Sequence, residues 1–150
     1  MVGAVLIAHA FIARELIATA EYLVGKLDGI VAISIDISRD AFEARRMISR
    51  AVKEVDQGEG VLMMTDLFGG FPSNIAFPFL GKQKVEVITG VNLPMILTFW
   101  TRRERTELRE LARAVELSGT RSIARAKDLM ETKGASERSM PIPNTQRRQT

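Results

Sequence analysis

Short apolar runs alternate with longer amphipathic stretches along this chain, and this alternation limits its possible folds more than any other feature. Apolar runs at 2–8, 30–37, 60–65 and 84–89 predict four strands, and the stretches between them carry apolar residues at helical spacing. Strands that alternate with helices form βαβ units, whose strands are parallel. The sequence therefore predicts an α/β fold built on a single doubly wound sheet of four parallel strands.

The stretches between the strands predict the helices. They lie at 10–26, 40–57, 72–80, 95–100 and 106–117. Ser38 or Asp40 is expected to cap the second helix, and Phe42 is expected on the buried face of that helix. Residues 122–130 fit either a helix or a short edge strand. The cluster of Arg102, Arg103 and Arg105 is expected to form a solvated helix face.

The composition is typical of one folded domain with a polar tail. The chain has 46% hydrophobic and 26% charged residues and no cysteine, which excludes disulfides and thiolate metal sites. No apolar run reaches the roughly 18 residues of a membrane span, and the apolar start lacks a basic leader. We therefore expect a cytoplasmic protein with one domain at 1–131. Residues 132–150 have no periodic apolar pattern and are expected to form a disordered tail or linker stub.

The basic character of the chain is confined to its end. The formal net charge is +3, and residues 133–150 alone carry four basic residues and one acidic residue. The rest of the chain is therefore formally neutral. A nucleic-acid binder usually concentrates basic charge on its folded face, so we expect no nucleic-acid partner.

Two of the predicted strands end on residues that can do chemistry together. The first ends on His9, the only histidine, and the third is followed by Asp66. In a flavodoxin-like strand order these two strands are neighbours, and their carboxyl ends meet at the point where the winding reverses. Imidazole is a nucleophile near neutral pH, and a carboxylate on its other nitrogen fixes the tautomer. We therefore expect His9 and Asp66 to form one catalytic site.

The loop after Asp66 has the features of an anion cradle. Phe68, Gly69, Gly70 and Phe71 offer closely spaced backbone N–H groups, and a helix is expected to begin near the proline that follows. Ser73 can add a hydroxyl donor. A histidine, an orienting carboxylate and an anion cradle together predict that a phosphoryl group is carried on His9. No metal site and no cofactor are expected.

Three segments resemble a known family. They are GAVLIAH at 3–9, GVLMMTDLFGGFPSN at 60–74 and VITGVNLPM at 87–95. Together they resemble the mannose-family enzyme IIA domain of the bacterial phosphoenolpyruvate-dependent sugar phosphotransferase system. The resemblance covers roughly residues 1–130, with a similar order of elements.

The resemblance implies a phosphorelay. The phosphocarrier protein HPr would donate a phosphoryl group to His9, with Asp66 bonded to the ring. A cognate enzyme IIB would accept the group, and membrane components would phosphorylate the sugar during transport. Members of the family are homodimers that exchange a C-terminal strand, which makes 122–130 the candidate for an antiparallel edge strand. In some members a flexible linker leads from this domain to a IIB domain.

The chain departs from the family pattern at two positions. Family members usually have glycine after the histidine, where this chain has Ala10, and Ser or Thr before the loop proline, where it has Phe71. A hydroxyl that could contact phosphate is therefore missing, although backbone N–H groups can replace it. Phe11, Phe68 and Phe71 are expected to flank His9 and to form an apolar docking patch for HPr and IIB.

Other functions remain open at this point. A response-regulator receiver needs acidic residues at the end of the first strand, where this chain has Ala8 and His9, and a flavin carrier needs a hydroxyl-rich loop there. The phosphodonor subunit of dihydroxyacetone kinase also uses a histidine, but its corresponding loop resembles Asp-Leu-Gly-Ser. A regulatory protein that signals by its phosphorylation state is a further alternative. The membrane components are expected to bind the sugar, so this chain carries no signal for its identity.

Overall fold

The elements follow one another in the predicted order. The computed structural model describes residues 1–36, 40–81 and 84–138, with side chains described up to residue 132. The strands are β1 (Gly3–His9), β2 (Ile30–Ile35), β3 (Val61–Thr65) and β4 (Val85–Thr89). The helices are α1 (Ile12–Val24), α2 (Ala41–Val55), α3 (Phe71–Ala76), α4 (Leu93–Arg102), α5 (Leu108–Arg121) and α6 (Ala126–Arg138), and a 3₁₀ turn (Phe77–Phe79) follows α3.

The four strands form one parallel sheet in the order β2-β1-β3-β4. The predicted fold class is therefore confirmed, and β1 and β3 are neighbours at the reversal of winding. In the register of the sheet, Ile7 pairs with Thr65 and His9 pairs with Ile35. The carboxyl ends of β1, β2 and β3 consequently lie side by side on one rim.

Both faces of the sheet are covered, which explains why β1 and β3 read as continuous apolar runs. Alternate residues of β1 enter two separate cores, since successive side chains point to opposite faces. Leu6 packs in the core under α1, α4 and α5, whereas Val5 and Ile7 pack in the core under α2 and α3. Strand β2 alternates buried and exposed residues, and it lies at an edge of the sheet as predicted.

Three expectations about the helices need correction or completion. Phe42 is 66% exposed rather than buried, because Ala41, Ala44 and Ile48 turn the core face of α2 away from it. Residues 126–138 form α6, so the helical alternative for 122–130 is observed in the single chain, and this helix runs past residue 132. The exchanged edge strand and the domain boundary stay predictions, and residues 139–150 lie outside the described residues.

One of the two predicted caps of α2 is observed. Asp40 caps α2 by accepting a hydrogen bond from the Phe42 N–H at 3.1 Å, whereas Ser38 and the end of the predicted second strand lie outside the described residues. Across 1–36, 40–81 and 84–138, no helix combines the length and the apolar content needed to cross a bilayer.

Arg103 is not part of a solvated face. It is only 4% exposed, and its guanidinium donates to the carbonyl of Asp28 and stacks 4.1 Å from the ring centroid of Trp100. Its own carbonyl accepts a hydrogen bond from the Val2 N–H at 3.2 Å. Desolvation by burial lowers the pKa of Arg103, while the carboxylates of Glu104 and Asp28 act in the opposite direction. Arg103 therefore joins the end of α4 to the beginnings of β1 and β2.

Replacing Arg103 with methionine is expected to lower the free energy of unfolding by about 2 kcal/mol, because the carbonyl of Asp28 loses its donor and the stacking on Trp100 loses its charge. Denaturant unfolding of the purified protein measures this difference. The neighbouring Arg102 is exposed, so Arg102→Met should change the same quantity by less than about 0.5 kcal/mol. Equal effects of the two substitutions would contradict the structural role of Arg103.

Candidate active site

His9 and Asp66 meet where the sequence predicts, at the carboxyl ends of β1 and β3. One carboxylate oxygen of Asp66, Oδ2, accepts a hydrogen bond from the backbone N–H of His9 at 2.9 Å and lies 2.9 Å from the ring nitrogen Nδ1. An ionised carboxylate can only accept hydrogen bonds, so this contact favours a proton on Nδ1. The second ring nitrogen, Nε2, then keeps its lone pair and can act as a nucleophile.

His9 and Asp66 are partly buried, but the site stays open to solvent. The side chain of His9 is 29% exposed and that of Asp66 is 10% exposed. The other carboxylate oxygen of Asp66, Oδ1, is buried without a hydrogen-bond partner among the described residues, as is the hydroxyl of Thr65. The hydrogen bonds of the Asp66 side chain therefore go to His9, to both its backbone N–H and its ring.

The loop after Asp66 bends back against the imidazole. The N–H of Gly70 donates to the carbonyl of Leu67 at 3.3 Å, and Gly69 adopts a φ of +76°, which glycine reaches without strain. A Cβ atom added at Gly70 would lie 3.1 Å from the Cε1 atom of His9. The absence of a side chain at Gly70 therefore lets the loop approach the ring closely.

Some backbone N–H groups of the predicted anion-binding loop are free to bind an anion. In the described part of the chain, the backbone N–H groups of Phe68, Gly69 and Phe71 have no protein acceptor, whereas that of Gly70 is used within the turn. Backbone N–H groups without a protein acceptor in such a loop are available to bind an anion. Ser73 cannot add a donor from this position, because it is fully buried and its hydroxyl donates to the carbonyl of Gly70 at 2.9 Å. Ser73 holds the loop instead.

The three phenylalanines expected around His9 differ in exposure. Phe11 and Phe68 are 62% and 75% exposed, so both present apolar surface on the rim. Phe71 is half-buried and packs against the core under α2 and α3, which leaves it less surface to offer a partner. Sequence reasoning missed that Phe42 is exposed at the start of α2 on the same rim. Its helical position fitted a buried stripe, and no sequence signal contradicted that fit.

Ala10 occupies a conformation that favours glycine. Its φ is +48°, and it is the only residue other than glycine with a positive φ among those described. The backbone must turn at Ala10 to lead from β1 into α1 directly after His9. This turn gives a physical reason for glycine at the position, and it makes the alanine of this chain a strained substitute.

Replacing Ala10 with glycine is expected to raise the free energy of unfolding by about 0.5–1 kcal/mol, because relief of the left-handed strain exceeds the extra entropy of unfolded glycine. Denaturant unfolding at constant temperature measures the change. Ala18 is exposed in the interior of α1, and Ala18→Gly should lower the same quantity by about 1 kcal/mol. Destabilisation by both substitutions would contradict strain at Ala10.

Comparison with known proteins identifies the family of the chain. The family model EIIA-man, described as PTS system fructose IIA component, matches residues 3–116. The PTS system mannose-specific EIIAB component of Escherichia coli is 33% identical over 111 residues, which cover 72% of this chain and 34% of that relative. The PTS system fructose-specific EIIA component of Bacillus subtilis is 25% identical over 112 residues, which cover 74% of this chain and 77% of that relative.

A solved structure shares the fold. The crystal structure of phosphotransferase system component EIIA from Streptococcus agalactiae superposes with a TM-score of 0.77 at 23% identity, covering 85% of this chain and 99% of that one. This chain spans about a third of the length of the mannose-specific relative that it matches. Because the family model covers most of the chain, the sheet and both strand ends of the site, the chain belongs to the mannose/fructose IIA family of the phosphotransferase system.

Proposed function

We propose that this protein is a phosphorelay component of the sugar phosphotransferase system, a phosphotransferase that works through a phosphohistidine intermediate. It accepts a phosphoryl group from HPr on His9 and passes the group to a cognate enzyme IIB for sugar uptake and phosphorylation. The observation that carries the proposal is the contact between Nδ1 of His9 and Oδ2 of Asp66, which leaves Nε2 as the nucleophile. Membership of the IIA family supports the same role.

The transfer requires one bond to form as another breaks. Nε2 of His9 uses its lone pair to form the bond to phosphorus, while the bond between phosphorus and the donor's carrier atom breaks and leaves its electron pair on that atom. Positive charge develops on the imidazole as the new bond forms. Asp66 stabilises this charge through the proton that stays on Nδ1, so no proton has to leave the ring during the step.

The loop supplies the second part of the mechanism. The free N–H groups of Phe68, Gly69 and Phe71 can bind the phosphoryl oxygens, and they depend on backbone rather than on side-chain identity. The phenylalanine that replaces the family's hydroxyl residue therefore does not prevent binding. Transfer to IIB is the reverse of acceptance, with Nε2 leaving as a neutral nitrogen.

The assembly around the site is also a proposal. We propose that residues 1–131 form the IIA unit and that two copies associate. Apolar side chains after α5 support association, since Ile123, Leu129 and Met130 are 80%, 56% and 74% exposed in the single chain. The mannose-specific relative is an EIIAB component, which supports a IIB partner.

A reconstituted relay tests the function. The protein is incubated with phosphoenolpyruvate, enzyme I and HPr, and the wild type is compared with His9→Ala. We expect an acid-labile phosphate on the wild type and none on the variant. Addition of a cognate IIB should then remove the label. Labelled HPr beside an unlabelled wild type would refute acceptance from HPr, and label on His9→Ala would refute the assigned residue.

A further inference from the structure

All exposed phenylalanines of the chain lie on the rim that contains His9. The chain has seven phenylalanines, and the three that are exposed are Phe11, Phe42 and Phe68, at 62%, 66% and 75%. Phe11 precedes α1, Phe42 is the second residue of α2, and Phe68 is in the loop after β3. Each of them follows the carboxyl end of a strand. Exposed aromatic residues concentrated on one rim indicate an interaction surface.

Phe42 is held in place although it is exposed. The carboxylate of Asp40 accepts a hydrogen bond from the Phe42 N–H at 3.1 Å and fixes the first turn of α2. The rest of the helix is anchored by buried residues, among them Ala44, Ile48 and Val52. A rigid aromatic side chain loses little conformational entropy when a partner covers it, so Phe42 is well suited to be a docking residue.

Phe42 and Phe68 follow the two strands that flank β1. In the sheet, β1 lies between β2 and β3, and His9 pairs in register with Ile35, the last residue of β2. The helix that carries Phe42 follows β2, and the loop that carries Phe68 follows β3. The topology therefore puts an exposed phenylalanine after each of the two strands beside the strand that ends on His9.

The surroundings of the ring determine where a donor can approach. Asp66 covers Nδ1, and Gly70 lies against Cε1, so a phosphoryl group must reach Nε2 from the open rim. The side chain of His9 is only 29% exposed, so the donor has to approach closely to the surface of the rim. A protein that carries the phosphoryl group is therefore in contact with the rim during transfer.

Charged residues of both signs lie beside Phe42. Asp40 and Glu43 are exposed, and so are Arg45 and Arg46, which come three and four residues after Phe42 on the next turn of α2. The apolar ring, rather than a net charge, therefore distinguishes this part of the rim.

We propose that Phe42, together with Phe68, forms the docking surface for the phosphoryl donor protein, and that Phe42 determines donor affinity without taking part in the chemistry. This inference rests on the proposed function. It adds a residue on α2 to the docking patch expected from the loops after β1 and β3, and it assigns the donor a docking face that is apolar.

The test separates donor affinity from the reactivity of His9. Transfer from phosphorylated HPr is measured for the wild type, Phe42→Gln and Phe42→Tyr, and each protein is also treated with phosphoramidate, a small donor that needs no docking. Tyr22→Gln is the matched control, since Tyr22 is 89% exposed in the last turn of α1, away from the rim. We expect Phe42→Gln to raise the KM for HPr about tenfold, with kcat changed by less than about twofold.

The other measurements are expected to remain near the wild type. Phe42→Tyr should restore most of the affinity, and Tyr22→Gln should leave it unchanged. Phosphoramidate should label His9 at the same rate in all variants. An unchanged KM in Phe42→Gln, beside a wild type that accepts phosphate from HPr, would overturn the docking role alone. A slower reaction of Phe42→Gln with phosphoramidate would also overturn it, and a wild type that accepts nothing from HPr would overturn the proposed function as well.

Discussion

Replacing Asp66 with asparagine is expected to slow phosphorylation of His9 about a hundredfold or more, while the fold is retained. Oδ2 of Asp66 accepts from the backbone N–H of His9 and faces Nδ1. An asparagine amide has no negative charge to stabilise the ring during transfer. If its NH₂ group faces Nδ1, the ring proton moves to Nε2 and blocks the nucleophile.

The rate constant for transfer from HPr is the quantity to measure in Asp66→Asn. Asp56→Asn is a matched control, because the Oδ1 atom of Asp56 also accepts backbone hydrogen bonds. Its donors are the N–H groups of Gly58 and Gly60, in the turn before β3 at the other end of the sheet. The control is expected to transfer at the wild-type rate. A rate for Asp66→Asn within about twofold of the wild type would remove Asp66 from the mechanism.

Gly70→Ala is expected to slow phosphoryl transfer about tenfold with little loss of stability, because small displacements of a reacting group are costly. The φ of Gly70 is −76°, which alanine adopts without strain, but the added Cβ would lie 3.1 Å from Cε1 of His9 and 3.4 Å from the carbonyl oxygen of Leu67. The ring must therefore shift by a few tenths of an ångström.

A glycine away from His9 gives the opposite expectation and serves as the control. A Cβ atom at Gly25, which follows α1, would meet nothing within 4 Å, but its φ of +86° disfavours alanine. Gly25→Ala should therefore lower the free energy of unfolding by about 1–3 kcal/mol and leave the transfer rate nearly unchanged. Rates with HPr and with phosphoramidate, together with denaturant unfolding, distinguish the two variants. Equal transfer rates in both would contradict the steric role of Gly70.

The parts of the fold that could be predicted from the sequence are those with local signals. The buried strands are continuous apolar runs, and turns with glycine or proline separate them from the helices. The meeting of His9 and Asp66 followed because parallel strands bring their carboxyl ends to one rim, and the distance of 2.9 Å between Nδ1 and Oδ2 confirms that the two side chains lie together.

The features that could not be predicted depend on long-range packing. Arg103 reads as one of several surface arginines, and its burial depends on Trp100 and on the carbonyl of Asp28, which is 75 residues away in the chain. From the sequence, Ser73 is expected to donate a hydrogen bond to phosphate. In the structure, its hydroxyl donates to the carbonyl of Gly70 instead. Phe42 fits the helical period of a buried stripe, and only the rotation of α2 against the sheet decides its exposure.

The most direct test of the mechanism is to find which atom carries the phosphoryl group. Because the chain has one histidine, labelling with ¹⁵N-histidine gives a single pair of ring nitrogen signals. The protein is phosphorylated through HPr, and coupling between phosphorus and nitrogen is recorded by NMR. We expect phosphorus on Nε2 and a retained proton on Nδ1. Phosphorus on Nδ1, or phosphate that leaves both ring signals unchanged, would contradict it.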